Sequence, residues 1–243
     1  MNTFTCAQRS EEWFQLHIGR VTASYMSDVM DFRKTGDKGA GSKRISYMGK
    51  KIAETLTGEM GTSIPPTFAM QWGTDHEDEA RRAYVVSAGN FVDQIGFGIH
   101  PEIERFGASP DGLIGDDGML EIKCPDTSTH IRWMLAGEVP VEHRPQMYAQ
   151  MAVFGRQWCD FISRDVRLVP RHQTFIKRLT REDAMIRMVE DAARKFLADM
   201  DEMIEKLNTL NPPIAEPEKP VIKDGITDDD IAWITAKHAE EAQ

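Results

Sequence analysis

The chain has 243 residues, of which 41% are hydrophobic and 28% charged, with a formal net charge of −10. That length and mixture suit one large globular α/β domain, or such a domain with appendages, and exclude a disordered chain. No stretch approaches a membrane span, the N-terminus lacks a signal-peptide pattern, and three scattered cysteines (Cys6, Cys124, Cys159) fit neither a disulfide framework nor an iron–sulfur cluster; a reducing cytoplasm is the expected compartment.

The acidic balance lends no support to nucleic-acid binding, which normally leaves a basic footprint. Charge is uneven, however. Arg33, Lys34, Lys38, Lys43, Arg44, Lys50 and Lys51 crowd one stretch, while residues 216–243 are strongly acidic. A local basic surface and an acidic tail can share one protein.

In chain order, Ser10 caps a short helix through Trp13 and Leu16 that Gly19 ends. Thr22-Ala23-Ser24 opens a second helix to about Met30, with Thr22 as N-cap; such a start offers hydroxyls and free N–H groups to a phosphate, although plain capping is the commoner use. Thr35 to Ser42 reads as a Gly- and Lys-rich loop without P-loop spacing, either beside DNA or merely solvated. Residues 43–57 read as a helix with Ile45, Met48, Ile52 and Leu56 on one face. Thr74 to Glu77 fits a capping box for a helix to about Ser87, with Glu77 as the capping acid. Phe91 to His100 and Glu104 to Ser109 read as strands.

The most informative stretch follows, SPDGLIGDDGMLEIKCP over residues 109–125. Asp-Asp-Gly at 116–118 is a turn signal and Met119 to Cys124 a short strand. A hairpin centred on Asp116 sets Asp111 opposite Glu121, and alternation puts Glu121 and Lys123 on one face, Ile122 and Cys124 on the other. Facing carboxylates repel, so folding gains nothing from the pair. A hard divalent cation such as Mg²⁺ would resolve the conflict. A neighbouring lysine can then stabilise developing charge or help deprotonate water.

Beyond Pro125, helices are expected over 127–136 and 144–154, the second carrying Gln146 and Gln150 one turn apart in an otherwise apolar segment. Trp158 to Ser163 and Thr174 to Leu179 complete the sheet. Thr180 to Asp183 reads as a second capping box before a long helix to about Leu207. Its seam of Ile186, Val189, Ala193, Phe196, Met200, Met203 and Leu207 suits packing on its own domain or on another subunit. A proline-rich linker (211–226) and a short acidic helix (227–243) close the chain. Thr227 and Asp230 cap that helix, which bears Ile231, Trp233 and Ile234 for docking on a partner or as a functionless tail.

Trp13 with Gly19 to Ser24, Trp72-Gly73 with Glu77, Ser109 to Gly112, Glu121 to Pro125, and Gln146, in that order, resemble the phage lambda exonuclease family, the viral-recombinase branch of the PD-(D/E)xK nucleases. The resemblance implies a restriction-endonuclease-like α/β core over residues 1–210, a mixed central sheet flanked by helices. It implies that Asp111 and Glu121 bind Mg²⁺ with the Ile122 carbonyl, that Glu77 helps hold a second ion, and that Mn²⁺ can substitute. Lys123 would position or activate the attacking water, and Gln146 matches the family's supporting glutamine. Thr22, Ser24 and Ser109 match positions near a terminal 5′-phosphate. Where the family commonly has an arginine before Thr-Ala-Ser, this chain has His17, a weaker anchor near neutral pH, with Arg20 three residues later.

The implied activity is 5′-to-3′ digestion of double-stranded DNA ends, releasing 5′-mononucleotides and leaving 3′ overhangs for phage-type recombination. The implied assembly is a ring-shaped trimer, with a single-strand annealing protein as partner. An endonuclease or resolvase on the same core is the alternative that closed circular DNA would separate. A catalytically silent DNA-binding or assembly protein is another, against which the intact Asp111, Glu121 and Lys123 weigh.

Overall fold

A computed structural model describes residues 2–32, 39–61, 67–212, 231–232 and 234–235. Arg33, Lys34 and Lys38 of the basic stretch, the linker from residue 213, and Thr227, Asp230 and Trp233 of the terminal helix lie outside them. The chain divides into two compact units, Met1–Glu205 and Lys206–Gln243. In the second, Ile231 and Ile234 are exposed.

Among the described residues, eight strands form two four-stranded mixed sheets flanked by helices. The first holds β1 (Asn2–Phe4), β2 (Val21–Thr22), β3 (Phe97–Ile99) and β4 (Phe106–Ala108), in the spatial order β1-β3-β4-β2. Only β2 and β4 run parallel in it, with Thr22 opposite Gly107. The second holds β5 (Gly112–Ile114), β6 (Gly118–Lys123), β7 (Trp158–Arg164) and β8 (Thr174–Thr180), in that order, with β6 and β7 parallel. Ser109, Pro110 and Asp111 are the passage from one sheet to the other.

The hairpin register agrees with the sequence expectation. Gly112 pairs with Leu120 and Ile114 with Gly118, so one further step sets Asp111 across from Glu121. Alternation sorts β6 as expected. Met119 joins the larger core with Phe161 and Met151, whereas Leu120, Ile122 and Cys124 pack with Ala80 and Tyr84 in a smaller one.

The helices are α1 (Glu11–His17), a one-turn α2 (Met26–Val29), α3 (Ser42–Thr57), α4 (Phe68–Ala88), α5 (Thr127–Ala136), α6 (Arg144–Phe154) and α7 (Asp183–Leu210). Ser10 caps α1 by accepting from Trp13 N, as expected. Five expectations need correction. Thr22 ends β2 ahead of a 3₁₀ turn, and its hydroxyl makes no capping bond but meets Ser24 Oγ at 3.2 Å. The capping box at Thr74 lies inside α4, which starts a full turn and more earlier behind Thr67; the Thr74 hydroxyl donates to the Met70 carbonyl instead. The box at Thr180 is likewise unused: Thr180 ends β8, α7 begins only at Asp183, and the Asp183 carboxylate accepts from Arg181 Nε at 2.9 Å. On α7, Ile186 to Met200 of the seam are buried, whereas Met203 is about half exposed.

The buried face of α3 is the fifth, and only in part, since Met48 and Ile52 are buried as expected. Ile45 and Leu56 are exposed, and Arg44, Tyr47, Met48, Lys51, Ile52 and Glu54 face inward. Glu54 is fully buried and its Oε2 accepts from Lys51 Nζ at 2.7 Å and from Gly19 N at 3.1 Å. Lys51 also donates to the His17 carbonyl at 3.0 Å. This pair therefore clamps the turn at Gly19, where φ is +64° and a Cβ would meet Thr55 Oγ1 at 2.8 Å. Burial lowers the pKa of Lys51, and Glu54 opposes that shift. Removing one partner of such a pair strands the other charge: Glu54→Ala should cost about 3–5 kcal/mol, whereas Lys51→Met with Glu54→Leu should recover most of it, as thermal and denaturant unfolding would show.

Candidate active site

The site forms where the crossing between sheets meets β6. Asp111 takes the place that β5 would occupy one residue earlier, and its Oδ2 accepts from the Ile122 backbone N–H at 2.6 Å. Ile122 thus enters the site through its amide as well as being a neighbour of Glu121. Glu121 exposes only 1% of its surface. Its Oε1 is ion-paired with Lys123, on the same strand face, and its Oε2 accepts from Gln150 Nε2 at 2.7 Å.

The glutamine that reaches Glu121 is therefore Gln150, itself 1% exposed, rather than Gln146. Gln146 is half-buried one turn earlier on α6 and makes no hydrogen bond to the described residues. Both were flagged by spacing, and the deeper of the two touches the carboxylate.

Glu77 stands on α4 as expected, but its role as a capping acid does not. Its Oε1 accepts from Arg81 Nη2 at 2.6 Å, and Arg81 Nε donates to the Asp111 carbonyl at 3.1 Å. Trp72, placed before a helix start by its sequence, lies within α4, stacked on His76 at 3.8 Å with the Arg167 guanidinium 4.5 Å over its ring. Glu77 and Asp78 line a cleft of about 460 Å³ together with Thr74, the N-terminal segment 5–9 and Gln94 to Gly96.

Electrostatics register the conflict. Asp111 is held well above the ordinary carboxylate value by burial first, then by Glu121, with Glu77 adding to the pressure. Burial alone would lower Lys123, but Glu121, Asp111 and Glu77 outweigh it and its pKa is raised. His143, ahead of α6 and stacked on Phe161, is lowered by burial and then by the Lys123 charge.

The residues matched to a phosphate pocket divide. Ser109 Oγ accepts from Trp13 Nε1 at 3.0 Å and donates to the Gly96 carbonyl. Ser24 is exposed, and follows Thr22 as Ser109 follows Gly107, so both serines leave the same end of the parallel pair β2/β4. Arg20 directs Nη1 to the Leu16 carbonyl at 3.0 Å and Nε to that of Glu104 at 3.4 Å, both neutral acceptors, and forms no ion pair among the described residues. His17 is corrected: its ring lies 3.7 Å from Trp13 and 4.5 Å from Phe97, Nδ1 meets the Trp13 carbonyl at 2.6 Å, and burial lowers its pKa to about 4. A neutral core imidazole is no phosphate anchor at pH 7.

The donor set tests well against a hard cation. Two opposed carboxylates offer oxygen atoms that the protein balances with one lysine and two N–H groups. No three Asp, Glu, His or Cys side chains among the described residues gather closely enough to enclose an ion. Two carboxylates remain compatible with Mg²⁺, which keeps several waters and shares its shell between one or two carboxylates and substrate phosphate.

Fold and site together define an exonuclease of the PD-(D/E)xK type. The model of the YqaJ-like viral recombinase domain matches residues 12–157, more than half of the chain, and the chain belongs to that family. It is similar to the alkaline exonuclease LHK-Exo from Laribacter hongkongensis, at 43% identity over 83% of this chain and 97% of that one, with a TM-score of 0.76. The same enzyme in complex with dAMP aligns at 44% identity and a TM-score of 0.75. A phage-related exonuclease from Haemophilus somnus 129PT shares the fold at 15% identity, over 77% of this chain and 96% of that one, with a TM-score of 0.61. No protein in the curated comparison matches.

Sequence reasoning missed Arg81 and His143. The Glu77–Arg81 spacing of four was a visible signal for the first; nothing local marked the second. The carboxylate conflict has a measurable cost. The folded pKa of Asp111 lies above the ordinary 3.8, so the folded state holds that proton more tightly, and this contribution to stability is lost as pH rises through the raised value. Asp111→Asn should therefore stabilise the cation-free chain by about 1 kcal/mol at pH 7 and flatten the pH dependence of its melting temperature, while removing stabilisation by added Mg²⁺.

Proposed function

We propose that this exonuclease digests linear double-stranded DNA from its 5′ ends with divalent-cation assistance, releasing 5′-mononucleotides and leaving 3′ single-stranded overhangs for phage-type recombination. The observation that carries this reading is the pair Asp111 and Glu121, set across adjacent strands with Lys123 ion-paired to Glu121. Facing carboxylates cost folding energy and have a use when a cation joins them.

When bound, Mg²⁺, or Mn²⁺ in its place, supplies Lewis-acid polarisation of the phosphate and acidifies water. Asp111, Glu121 and the Ile122 carbonyl would hold one ion and Glu77 would help hold a second. Gln150 orients Glu121 through its amide. Lys123 keeps its proton at neutral pH, so it offers charge and hydrogen bonds to the attacking water and the phosphoryl oxygens. Gln146 would support the same face of α6. Ser24, Ser109 and Thr22 would receive the 5′-phosphate, with Arg20 as the cation in place of His17. A 44% identical relative is known with dAMP, a mononucleotide of the kind this reaction releases.

A ring-shaped trimer enclosing DNA would reconcile a net charge of −10 with sustained contact, since enclosure replaces a basic exterior. A single-strand annealing protein is the proposed partner for the overhang, and the host cytoplasm the proposed compartment. Among the described residues no helix is long and apolar enough to cross a membrane.

With Mg²⁺ present, linear duplexes carrying 5′-phosphates should shorten from those ends while closed circles stay intact. Chelator should stop the reaction, and Asp111→Ala or Lys123→Ala should slow it at least about a hundredfold. Chelator-resistant digestion or full activity in Asp111→Ala would contradict the mechanism, and cleavage of closed circles would favour an endonuclease.

A further inference from the structure

Arg81 is a buried arginine, 9% exposed, that carries no assigned role. Its fork reaches three elements. Nη2 donates to Glu77 Oε1 at 2.6 Å, Nη1 is ion-paired with Asp78, and Nε donates to the carbonyl of Asp111 at 3.1 Å. With its amide turned to suit both groups, Gln94 accepts from Nη1 at 2.9 Å and from Nη2 at 3.3 Å. All three guanidinium nitrogens are thus committed within one bracket joining α4 to the passage between the sheets.

Packing alone does not call for this arrangement. Ala80 and Tyr84 already seat α4 on the smaller core. A buried guanidinium is costly unless its partners are fixed. What the bracket fixes is the position of the Glu77 carboxylate relative to Asp111, on which the Glu77 charge already acts. Residues that orient a ligating carboxylate commonly change metal affinity by about 10–100-fold when replaced.

We propose that Arg81 is a positioning residue for the cation site, tying Glu77 to the backbone of Asp111 so that this carboxylate keeps a fixed position relative to the working pair. This rests on the reading of Asp111, Glu121 and Glu77 as cation ligands. Arg81 touches neither the ion nor the substrate; it acts through Glu77. Lysine cannot reproduce a fork that spans a carboxylate and a carbonyl.

The test is a Mn²⁺ titration of the DNA-free chain, with free ion counted by electron paramagnetic resonance, for the unaltered chain, Arg81→Lys, Glu77→Gln and the double variant. Arg81→Lys should weaken the lower-affinity ion about tenfold, and the double variant should bind no more weakly than Glu77→Gln alone. Digestion by Arg81→Lys should recover on raising Mg²⁺, with KM for DNA unchanged. An unaltered isotherm in Arg81→Lys, even with a lowered melting temperature, would overturn the proposal, as would losses that add in the double variant. If the unaltered chain itself bound no ion, the cation-site reading would fall and this proposal with it. If it bound ions and digested DNA while Arg81→Lys matched it, only the role of Arg81 would fall.

Discussion

Asp111 and Glu121 face each other across the β5–β6 hairpin register, and burial together with the Glu121 charge holds the Asp111 carboxyl well above the ordinary carboxylate value. Asp111 sits on the three-residue passage between two sheets, Glu121 in the middle of a strand whose two faces serve two cores. The chain cannot relax either one without breaking a sheet or exposing a core. Lys123, the Ile122 amide and Gln150 balance the charge without removing it. A site in this condition exchanges internal partners for a cation at modest cost, because its oxygens are already placed and desolvated.

The surrounding elements follow from that constraint. α6 is buried over most of its length so that a fully enclosed glutamine can reach a fully enclosed glutamate. α4 runs past the crossing and delivers Glu77 with its arginine bracket. α1 brings Trp13 to Ser109, two residues before Asp111, and the buried Lys51–Glu54 pair holds the turn that leads to Ser24. Ser109 and Asp111, proposed for the phosphate and the cation, are therefore joined by one short peptide. Its proline accepts from Gln8 at 3.1 Å, which pins the crossing from the N-terminal segment as well.

Much of this was legible in the chain itself, for identifiable reasons. The hairpin register could be read because Asp-Asp-Gly fixes the turn and a period of two fixes every side chain after it. α5 and α6 matched residue for residue, since Gly137 and Gly155 stop them at positive φ. The capping box at Thr74 misled because its local pattern is also compatible with a helix interior, and only the preceding turn shows which applies. The inward face of α3 was read only in part: Met48 and Ile52 are buried as expected, but Arg44, Lys51 and Glu54 take the places given to Ile45 and Leu56, because these charged residues are satisfied by partners distant in sequence. β1 pairs with a strand over ninety residues away, which no window could show. His17 was assigned by its place in a motif, and burial between Trp13 and Phe97 decides otherwise.

Anomalous diffraction from crystals soaked in Mn²⁺ would show whether Asp111 and Glu121 share one ion. A peak is expected within about 2.0–2.3 Å of carboxylate oxygens from both Asp111 and Glu121, with Lys123 moved off Glu121. Mn²⁺ bound elsewhere, with the Glu121–Lys123 pair intact and Asp111 untouched, would contradict a shared ion.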